Sequence, residues 1–306
     1  MDLIIKRMSQ RISRRLIIQG LLGTSIPLSL GLIGKELIMN LNQTPSTTQM
    51  PVLFFAHGSP MLTLENNAFT KMLAKTGENL PIPKFILCIS AHWESRGGTW
   101  VTGMDHPKTI HDFYGFPDEL YAVEYPAPGS PTLAHQIQKE ITSPTINIDE
   151  NKWGLDHGTW TVLRHVYPKA NIPVLQLSMD MSQPPEYHYR LGQALASLRK
   201  QGVLIIGSGN IVHNLRLVQW GKNAKPAAWA IEFDEWVKER LINRDDKSLV
   251  SDFLKTTAGQ TSIPTPEHYL PLLYILGAAG PKDQAQFLYE GIDMSALSMR
   301  TVLFQG

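Results

Sequence analysis

Four short apolar runs constrain the fold of this chain more than any other feature. They are rich in Val, Ile, Leu and Phe and lack the alternation of polar and apolar residues that a strand with one solvent-exposed face shows. The runs cover residues 52–56, 85–90, 173–178 and 203–207. Strands that are buried on both faces have this composition, and they occur in sheets that helices cover on each side. The runs therefore predict four strands at the centre of a covered sheet.

Segments with helical spacing alternate with these runs. They cover residues 67–75, 131–141, 189–200 and 227–241. Alternating strands and helices predict one α/β domain of three layers, with a central sheet that is largely parallel or mixed. In such domains ligands bind at the carboxyl ends of the strands, so we expect the functional site there.

The first 50 residues differ in composition from the rest of the chain. Five basic residues precede an apolar stretch, residues 16–34, and a polar segment, residues 40–49, follows it. This order of basic, apolar and polar regions is that of an export signal. Residues 13–19, SRRLIIQ, resemble the twin-arginine signal, although Ile17 and Gln19 depart from its usual Phe and Lys.

We therefore predict that residues 1–50 are a twin-arginine-type leader and linker, which contacts the membrane or the export machinery. Residues 51–306 are predicted to form a single folded domain, and export would make the protein periplasmic. The alternatives are an amphipathic or disordered leader and an anchor that is not cleaved. Without export the protein would be cytoplasmic.

Charge and cysteine content exclude several classes of protein. The chain has 28 Lys plus Arg and 27 Asp plus Glu, a net charge of +1, so we expect no nucleic-acid partner. The only cysteine, Cys88, lies inside an apolar run. An internal disulfide and a thiolate metal site are therefore excluded, and the ten histidines are the remaining candidate ligands.

Four of these histidines lie at predicted ends of strands or at a predicted helix start. His57 follows the first apolar run, His92 follows the second, and His213 comes shortly after the fourth. His268 follows the Thr-Pro pair 265–266, which has the features of an N-cap and first helical position. A single histidine of this kind is more often a hydrogen-bonded structural residue than a ligand, but four in one context favour a shared site.

Imidazole nitrogens and a carboxylate oxygen form the ligand set of Fe(II), Zn²⁺ and Mn²⁺ sites. Glu267 is the carboxylate next to His268 and is an alternative ligand. Two histidines and a carboxylate around Fe(II) leave positions for a bidentate substrate and O₂. Such a site serves oxygen chemistry or metal-assisted hydrolysis. A zinc-dependent hydrolase and a non-enzymatic metal-binding protein are therefore both alternatives.

Two further regions carry candidate residues. His157 follows Asp156 between two glycines, and it is either a general acid or base or a turn residue.

Residues 97–125 are predicted to be mostly irregular. They form either a packed surface loop or a loop that covers a planar substrate through His111 and Phe116. Arg96 and Arg216 are the candidate partners of a substrate carboxylate, and the remaining histidines are expected at the surface or in packing. These histidines are His106, His135, His165 and His188.

Seven motifs follow one another in this order along the chain. They are HGSP (57–60), SAHW (90–93), TIHDFYGFP (109–117), YPAPGSP (125–131), WGLDHGTW (153–160), GSGNIVHNLR (207–216) and TPEHYLPLLYILGA (265–278). They resemble the motifs of the bacterial 4,5-DOPA extradiol dioxygenase family, which belongs to the class III extradiol ring-cleavage dioxygenases. The resemblance implies that residues 51–306 are a catalytic domain that opens the ring of a catechol, DOPA-like or a related phenolic, with O₂.

The resemblance also implies roles for the histidines. One divalent metal would be held by His57 and His92, with His213 and His268 completing the set in members that hold zinc. Enzymes of the protocatechuate type use two histidines and a glutamate around Fe(II), and there the histidine that matches His213 is the acid–base residue. His157 matches a pocket histidine that binds a substrate hydroxyl or O₂. Fe(II) would support activity, and zinc would be bound in the isolated protein.

Overall fold

A computed structural model of the chain describes residues 49–221 and 224–306, and it confirms the four predicted strands. The strands lie side by side in the order β5-β2-β6-β1, and each neighbouring pair is parallel. Burial on both faces explains why their sequences lack polar alternation. Their bounds are β1 (Val52–Ala56), β2 (Phe85–Ser95), β5 (Val174–Asp180) and β6 (Val203–Gly209).

Further strands extend the sheet at both edges to the order β4-β3-β5-β2-β6-β1-β10-β7. Antiparallel pairing of β3 with β5, of β1 with β10 and of β10 with β7 makes the sheet mixed. The predicted α/β domain with a parallel or mixed sheet is therefore confirmed. The additional strands are β3 (Thr99–Thr102), β4 (Ile146–Asp149), β7 (Gln284–Tyr289) and β10 (Thr301–Gln305), and a separate two-stranded sheet contains β8 (Ile292–Asp293) and β9 (Leu297–Ser298).

Helices cover both faces of the sheet, so successive residues of one strand enter different hydrophobic cores. Phe54 packs in one core and Phe55 in the other. The four predicted helices are present as α1, α3, α5 and α6. The α-helices in the described part of the chain are α1 (Ala68–Asn79), α2 (Asp118–Tyr121), α3 (Pro131–Glu140), α4 (His157–Val166), α5 (Pro185–Leu195), α6 (Ala228–Asn243), α7 (Asp246–Ser251), α8 (Thr257–Ser262) and α9 (Leu270–Ala278), and 3₁₀ helices cover Pro60–Leu64 and Ala196–Gln201.

One local prediction was wrong. The Thr-Pro pair 265–266 does not begin a helix, because the Thr265 hydroxyl donates to the Glu267 carboxylate and the next residues form turns. The helix begins later, at Leu270, where Pro271 occupies the first turn. The stretch 97–125 is mostly irregular, as predicted, and its regular elements are the short β3 and α2.

Residues 1–48, on which the predicted leader falls, lie outside the described residues. Met50 belongs to the folded domain: it is buried, its amide donates to the Arg199 carbonyl at 3.1 Å, and its carbonyl accepts from Arg199 Nε at 2.7 Å. Across residues 49–221 and 224–306, no helix combines the length and the apolar character that crossing a membrane requires.

Candidate functional site

Neighbouring parallel strands bring the first two candidate histidines together. His57 directly follows β1, and His92 lies within β2, which continues to Ser95 rather than ending near residue 90 as predicted. The pairing of β2 with β5 shifts register between Ile89 and Glu94. Such irregularities change the direction in which side chains point. This one lies around His92, near the carboxyl ends of the central strands, where β1 also ends.

The Nε2 atoms of His57 and His92 lie 3.2 Å apart. On the other side of the His57 ring, Nδ1 is 2.9 Å from the Ser208 hydroxyl, which donates to the Gly158 carbonyl at 2.5 Å. Because the hydroxyl hydrogen is donated in that bond, the Ser208 oxygen accepts a hydrogen bond from the Nδ1–H of His57. The neutral His57 ring therefore presents an unprotonated Nε2 to His92.

Close backbone approach at Gly158 makes this arrangement fit. A Cβ atom at this position would lie 2.5 Å from Ser90 Oγ, 3.0 Å from Cδ2 of His92 and 3.2 Å from Nδ1 of His57. Any larger residue would displace both histidines, so the first turn of α4 requires glycine here.

A second group faces this pair. The rings of His213 and His268 are stacked, with centroids 3.4 Å apart and an angle of 8° between the planes. Nδ1 of His268 lies 3.0 Å from Oε1 of Glu267, and the His268 ring centroid is 5.1 Å from those of both His57 and His92. Residues from four distant parts of the chain therefore meet at one point.

His157, the first residue of α4, is held by Asp112. Its backbone amide donates to Oδ1 and its Nδ1 lies 2.9 Å from Oδ2 of that carboxylate. Oδ2 is also 3.3 Å from Nδ1 of His92, and the rings of His92 and His157 are 3.9 Å apart. Sequence reasoning missed Asp112; the only signal was an acidic residue inside the aromatic motif TIHDFYGFP.

Burial keeps the imidazoles of His57, His92, His213 and His268 uncharged at neutral pH. Desolvation lowers the pKa of His92 to about 3 and that of His213 to about 4. The pKa values of His57 and His268 are also lowered well below the ordinary value, first by burial and then by the neighbouring histidines. Neutral imidazoles have lone pairs available, so the cluster is suited to bind a cation.

The donor atoms fit a divalent metal. They form two groups, His57 with His92 and His157, and His213 with Glu267 and His268, and the donor atoms within each group lie within 4.8 Å of one another. Two nitrogens that bind one tetrahedral zinc at the usual distance lie about 3.3 Å apart. The 3.2 Å between the Nε2 atoms of His57 and His92 agrees with that value.

The histidines open into a cavity of about 210 Å³, which we call the histidine cavity. Phe116 lines it, as expected for a residue of the covering loop. His111 does not line it, because its Nε2 lies 2.9 Å from the Val123 carbonyl; its role in substrate binding stays a prediction. The lining residues are His57, Gly58, Ser59, Pro60, His92, Phe113, Phe116, His157, His213, Leu215, Trp220, His268, Met294 and Leu297.

A larger cavity, of about 290 Å³, contains none of the histidines. Trp93 and Trp153, whose rings are parallel and 5.5 Å apart, line it together with Trp100, Arg96 and Lys152. Arg96 therefore belongs to a different pocket from the histidines, and Arg216 lines neither cavity. The smaller cavity is the better candidate for the active site because the donor groups converge there.

Comparison with known proteins gives consistent matches over the folded domain. The family model of the catalytic LigB subunit of aromatic ring-opening dioxygenase matches residues 51–304. A protein of Escherichia coli (strain K12), 4,5-DOPA dioxygenase extradiol, is 46% identical over 270 residues, which cover 88% of this chain and 97% of that protein. The protein of the same name from Beta vulgaris is 37% identical over 263 residues, covering 82% of this chain and 95% of its own.

Solved structures are also similar. The crystal structure of an uncharacterized protein from Escherichia coli K12 matches with a TM-score of 0.74 and 43% sequence identity. The match covers 84% of this chain and 100% of that one.

Proposed function

Because this chain belongs to the LigB family of class III extradiol aromatic ring-opening dioxygenases, we propose that its substrate is a catechol bound in the histidine cavity. The observation that carries the proposal is the convergence of five histidines on one small cavity whose walls include Phe113 and Phe116. Imidazoles suit a metal that binds two hydroxyl oxygens, and aromatic walls suit a planar ring.

We assign one divalent metal to His57, His92, His213 and His268, with Fe(II) in the active enzyme and zinc bound on isolation. Glu267 is the less suitable ligand, because its Oε1 already accepts from the Thr265 hydroxyl and lies 3.0 Å from Nδ1 of His268. A carboxylate in that position orients a histidine ligand and raises its basicity. When bound, Fe(II) supplies a centre that accepts both catechol oxygens and O₂ and exchanges electrons with them.

His157 is the proposed general acid and base. Asp112 holds its Nδ1, so Nε2 is the nitrogen available to the cavity that His157 lines. A nearby carboxylate stabilises the protonated ring, which lets Nε2 take a proton from a catechol hydroxyl and return it later. His213 is the competing candidate for this role if it does not bind the metal.

The walls of the cavity position the ring and exclude water. The Phe113 ring lies edge-on to the His157 ring at 5.6 Å and to the Phe116 ring at 5.3 Å. Fixing the substrate in this way replaces an encounter in solution by a bound geometry, which lowers the entropic part of the barrier.

Anaerobic reconstitution with Fe(II), followed by O₂ uptake with L-DOPA and caffeate, tests the proposal. We expect one O₂ consumed per catechol and a yellow ring-opened product. If no catechol yields that product, the dioxygenase proposal is wrong. Hydrolase activity with Zn²⁺ under argon would support the alternative of a zinc-dependent hydrolase, because hydrolysis needs no O₂.

We also propose that the protein is exported to the periplasm after it has folded and bound its metal. The support is the order of regions in residues 1–50 and the pair Arg14-Arg15. Replacing Arg14 and Arg15 by Lys should leave the protein in the cytoplasmic fraction of cells. The matched control replaces Arg7 and Arg11 by Lys, and equal export of both variants would contradict a twin-arginine signal.

A further inference from the structure

We propose that the chain has a second ligand site, for a planar aromatic molecule that carries one carboxylate. The site is the cavity of about 290 Å³ that contains none of the histidines, which we call the tryptophan cavity. The proposal is independent of the proposed function, because it concerns other residues and needs neither a metal nor O₂. The residues on which it rests are Trp93, Arg96, Trp100, Asp149, Lys152 and Trp153, all of which line the cavity.

The tryptophan cavity is distinct from the histidine cavity, and the two share no lining residue. His92 and Trp93 are consecutive residues of β2, and successive side chains of a strand point to opposite faces. Accordingly, His92 lines the histidine cavity and Trp93 the tryptophan cavity. A ligand in the tryptophan cavity is therefore held by a separate set of side chains.

Three indole rings make the tryptophan cavity suitable for a flat ring. The rings of Trp93 and Trp153 are parallel, with 4° between their planes and 5.5 Å between their centroids. Trp93 is 7% exposed, whereas Trp100, on β3, is 37% exposed, so the wall has a buried part and an open part. Stacking on an aromatic ring adds free energy beyond the area that it buries. A planar aromatic ligand therefore gains more here than an aliphatic ligand of the same size.

Two cations lie beside this aromatic surface. Arg96 directly follows β2, and Nζ of Lys152 lies 6.0 Å from the centre of the Trp100 ring. The ion pairs that Lys and Arg form within residues 49–221 and 224–306 involve neither Arg96 nor Lys152. Both charges are therefore available to an anionic ligand.

Two buried carboxylates fix the backbone that carries these cations. Asp180, at the end of β5, is 2% exposed, and its Oδ1 accepts from the amide of Gly97 at 3.1 Å. Asp149, at the end of β4, is 5% exposed and accepts from the amides of Lys152 at 2.9 Å and Trp153 at 2.6 Å. Because the backbone is held before a ligand arrives, less conformational entropy is lost on binding.

The charges of the lining residues favour a ligand with a single negative charge. Arg96 and Lys152 are positive and Asp149 is negative, which leaves an excess of one positive charge. Both oxygens of Asp149 already accept from backbone amides, and Glu94, which interacts electrostatically with Arg96, does not line the cavity. One carboxylate balances the excess, and a guanidinium binds a carboxylate through two parallel N–H donors. A doubly charged phosphate would leave an excess of negative charge.

NMR titration of the full chain with cinnamate tests the proposal. Cinnamate is a planar aromatic carboxylate without catechol hydroxyls, so ring opening does not consume it. With ¹⁵N-labelled tryptophan the chain gives one indole N–H signal for each of its seven tryptophans, and Trp→Phe variants assign them. We expect the signals of Trp93, Trp100 and Trp153 to shift with one Kd. Shifts confined to Trp220, which lines the histidine cavity, or no shift at all would overturn the proposal.

Two ligands of the same shape test the required charge. Cinnamamide replaces the carboxylate by a neutral amide, and we expect its Kd at the tryptophan cavity to be about fivefold higher or more. trans-Styrylphosphonate replaces the carboxylate by a doubly charged group, and we expect it to bind no more tightly than cinnamate. Equal affinity for cinnamamide, or tighter binding of the phosphonate, would show that the site does not select a carboxylate.

Charge-removing variants test the two cations. Arg96→Gln and Lys152→Gln should each raise the Kd for cinnamate roughly threefold or more and leave the Kd for cinnamamide within about twofold. Lys169→Gln is the matched control, since it removes one exposed charge that lines neither cavity, and it should change neither Kd. An unchanged Kd for cinnamate in both Arg96→Gln and Lys152→Gln would contradict the assignment of the carboxylate to these side chains.

Discussion

At the scale of single residues, the site depends on which nitrogen of each imidazole is free. In His57, His157 and His268 the Nδ1 atom is held by a partner: the Ser208 hydroxyl, the Asp112 carboxylate and the Glu267 carboxylate. In each ring Nε2 is then available to the site. Partners of this kind orient a ligand and set its basicity, so they are as much part of the site as the ligands.

Asp112→Asn should lower kcat roughly 10–100-fold, because the amide cannot stabilise a protonated His157 ring as the carboxylate does. Steady-state O₂ uptake measures the loss, and metal analysis of the same sample shows how much of it comes from the contact with His92. Asp118→Asn, at the start of α2, is the control for charge loss in the same region and should retain activity. Full activity of Asp112→Asn would remove the carboxylate from the proposed mechanism.

His92→Ala should abolish stoichiometric metal binding, since it removes one of the two nitrogens that lie 3.2 Å apart. Metal analysis of anaerobically purified protein measures the effect, and circular dichroism shows whether the fold is retained. His135→Ala changes an exposed histidine of α3 and should keep full metal content. A His92→Ala protein that retains its metal would exclude His92 from the ligand set.

At the scale of elements, packing between helices contains a further titratable group. His188 of α5 is fully buried, and its Nδ1 lies 2.9 Å from the Tyr274 hydroxyl of α9. Burial lowers the pKa of His188 to about 4, whereas an unfolded histidine titrates near 6.5. Between these values the unfolded chain binds more protons than the folded one, so this contact loses stability as the pH falls.

The expected loss from His188 is roughly 3 kcal/mol when the pH falls from above 6.5 to below 4. His188→Gln should therefore show a smaller decrease in the free energy of unfolding between pH 7.5 and pH 5 than the wild type. Urea unfolding of the metal-free proteins measures both decreases, and His135→Gln serves as the exposed control. The same decrease in His188→Gln and wild type would show that His188 does not contribute.

At the scale of the whole molecule, the last strand is an internal part of the sheet. β10 lies between β1 and β7, with Phe304 opposite Val52. Val302 and Phe304 are fully buried and Leu303 is 7% exposed. The strand that begins the domain and places His57 is therefore completed by residues about 250 positions later.

Deletion of residues 301–306 should prevent folding. The three apolar side chains contribute about 1.5–3 kcal/mol each on burial, a sum comparable with the whole stability of an ordinary domain. Deletion of the exposed Gly306 alone is the control and should leave the thermal midpoint within a few degrees. Soluble protein with a cooperative transition after the longer deletion would contradict this account of β10.

The predictability of the fold and of the site follows from the range of the interactions involved. Buried strands are marked by their own composition, so the four central strands could be predicted from the chain alone. The position of α9 could not, because Thr265 resembles an N-cap until its hydroxyl is seen to donate to Glu267. Trp220 and Met294 belong to no motif, and only the tertiary structure places them at the histidine cavity.

Sequence alone determined the central strands, the class of the domain and the histidines that are candidate ligands, because each of these can be recognised from local composition or from a short motif. Only the tertiary structure decided which nitrogen of His57, His157 and His268 is free, that Asp112 holds His157, and that Leu215, Trp220 and Met294 line the histidine cavity. These properties depend on contacts between residues tens to hundreds of positions apart, such as the 245 positions between Ala56 and Thr301. Local pattern contains no information about such contacts, since folding brings the partners together through packing of the whole core.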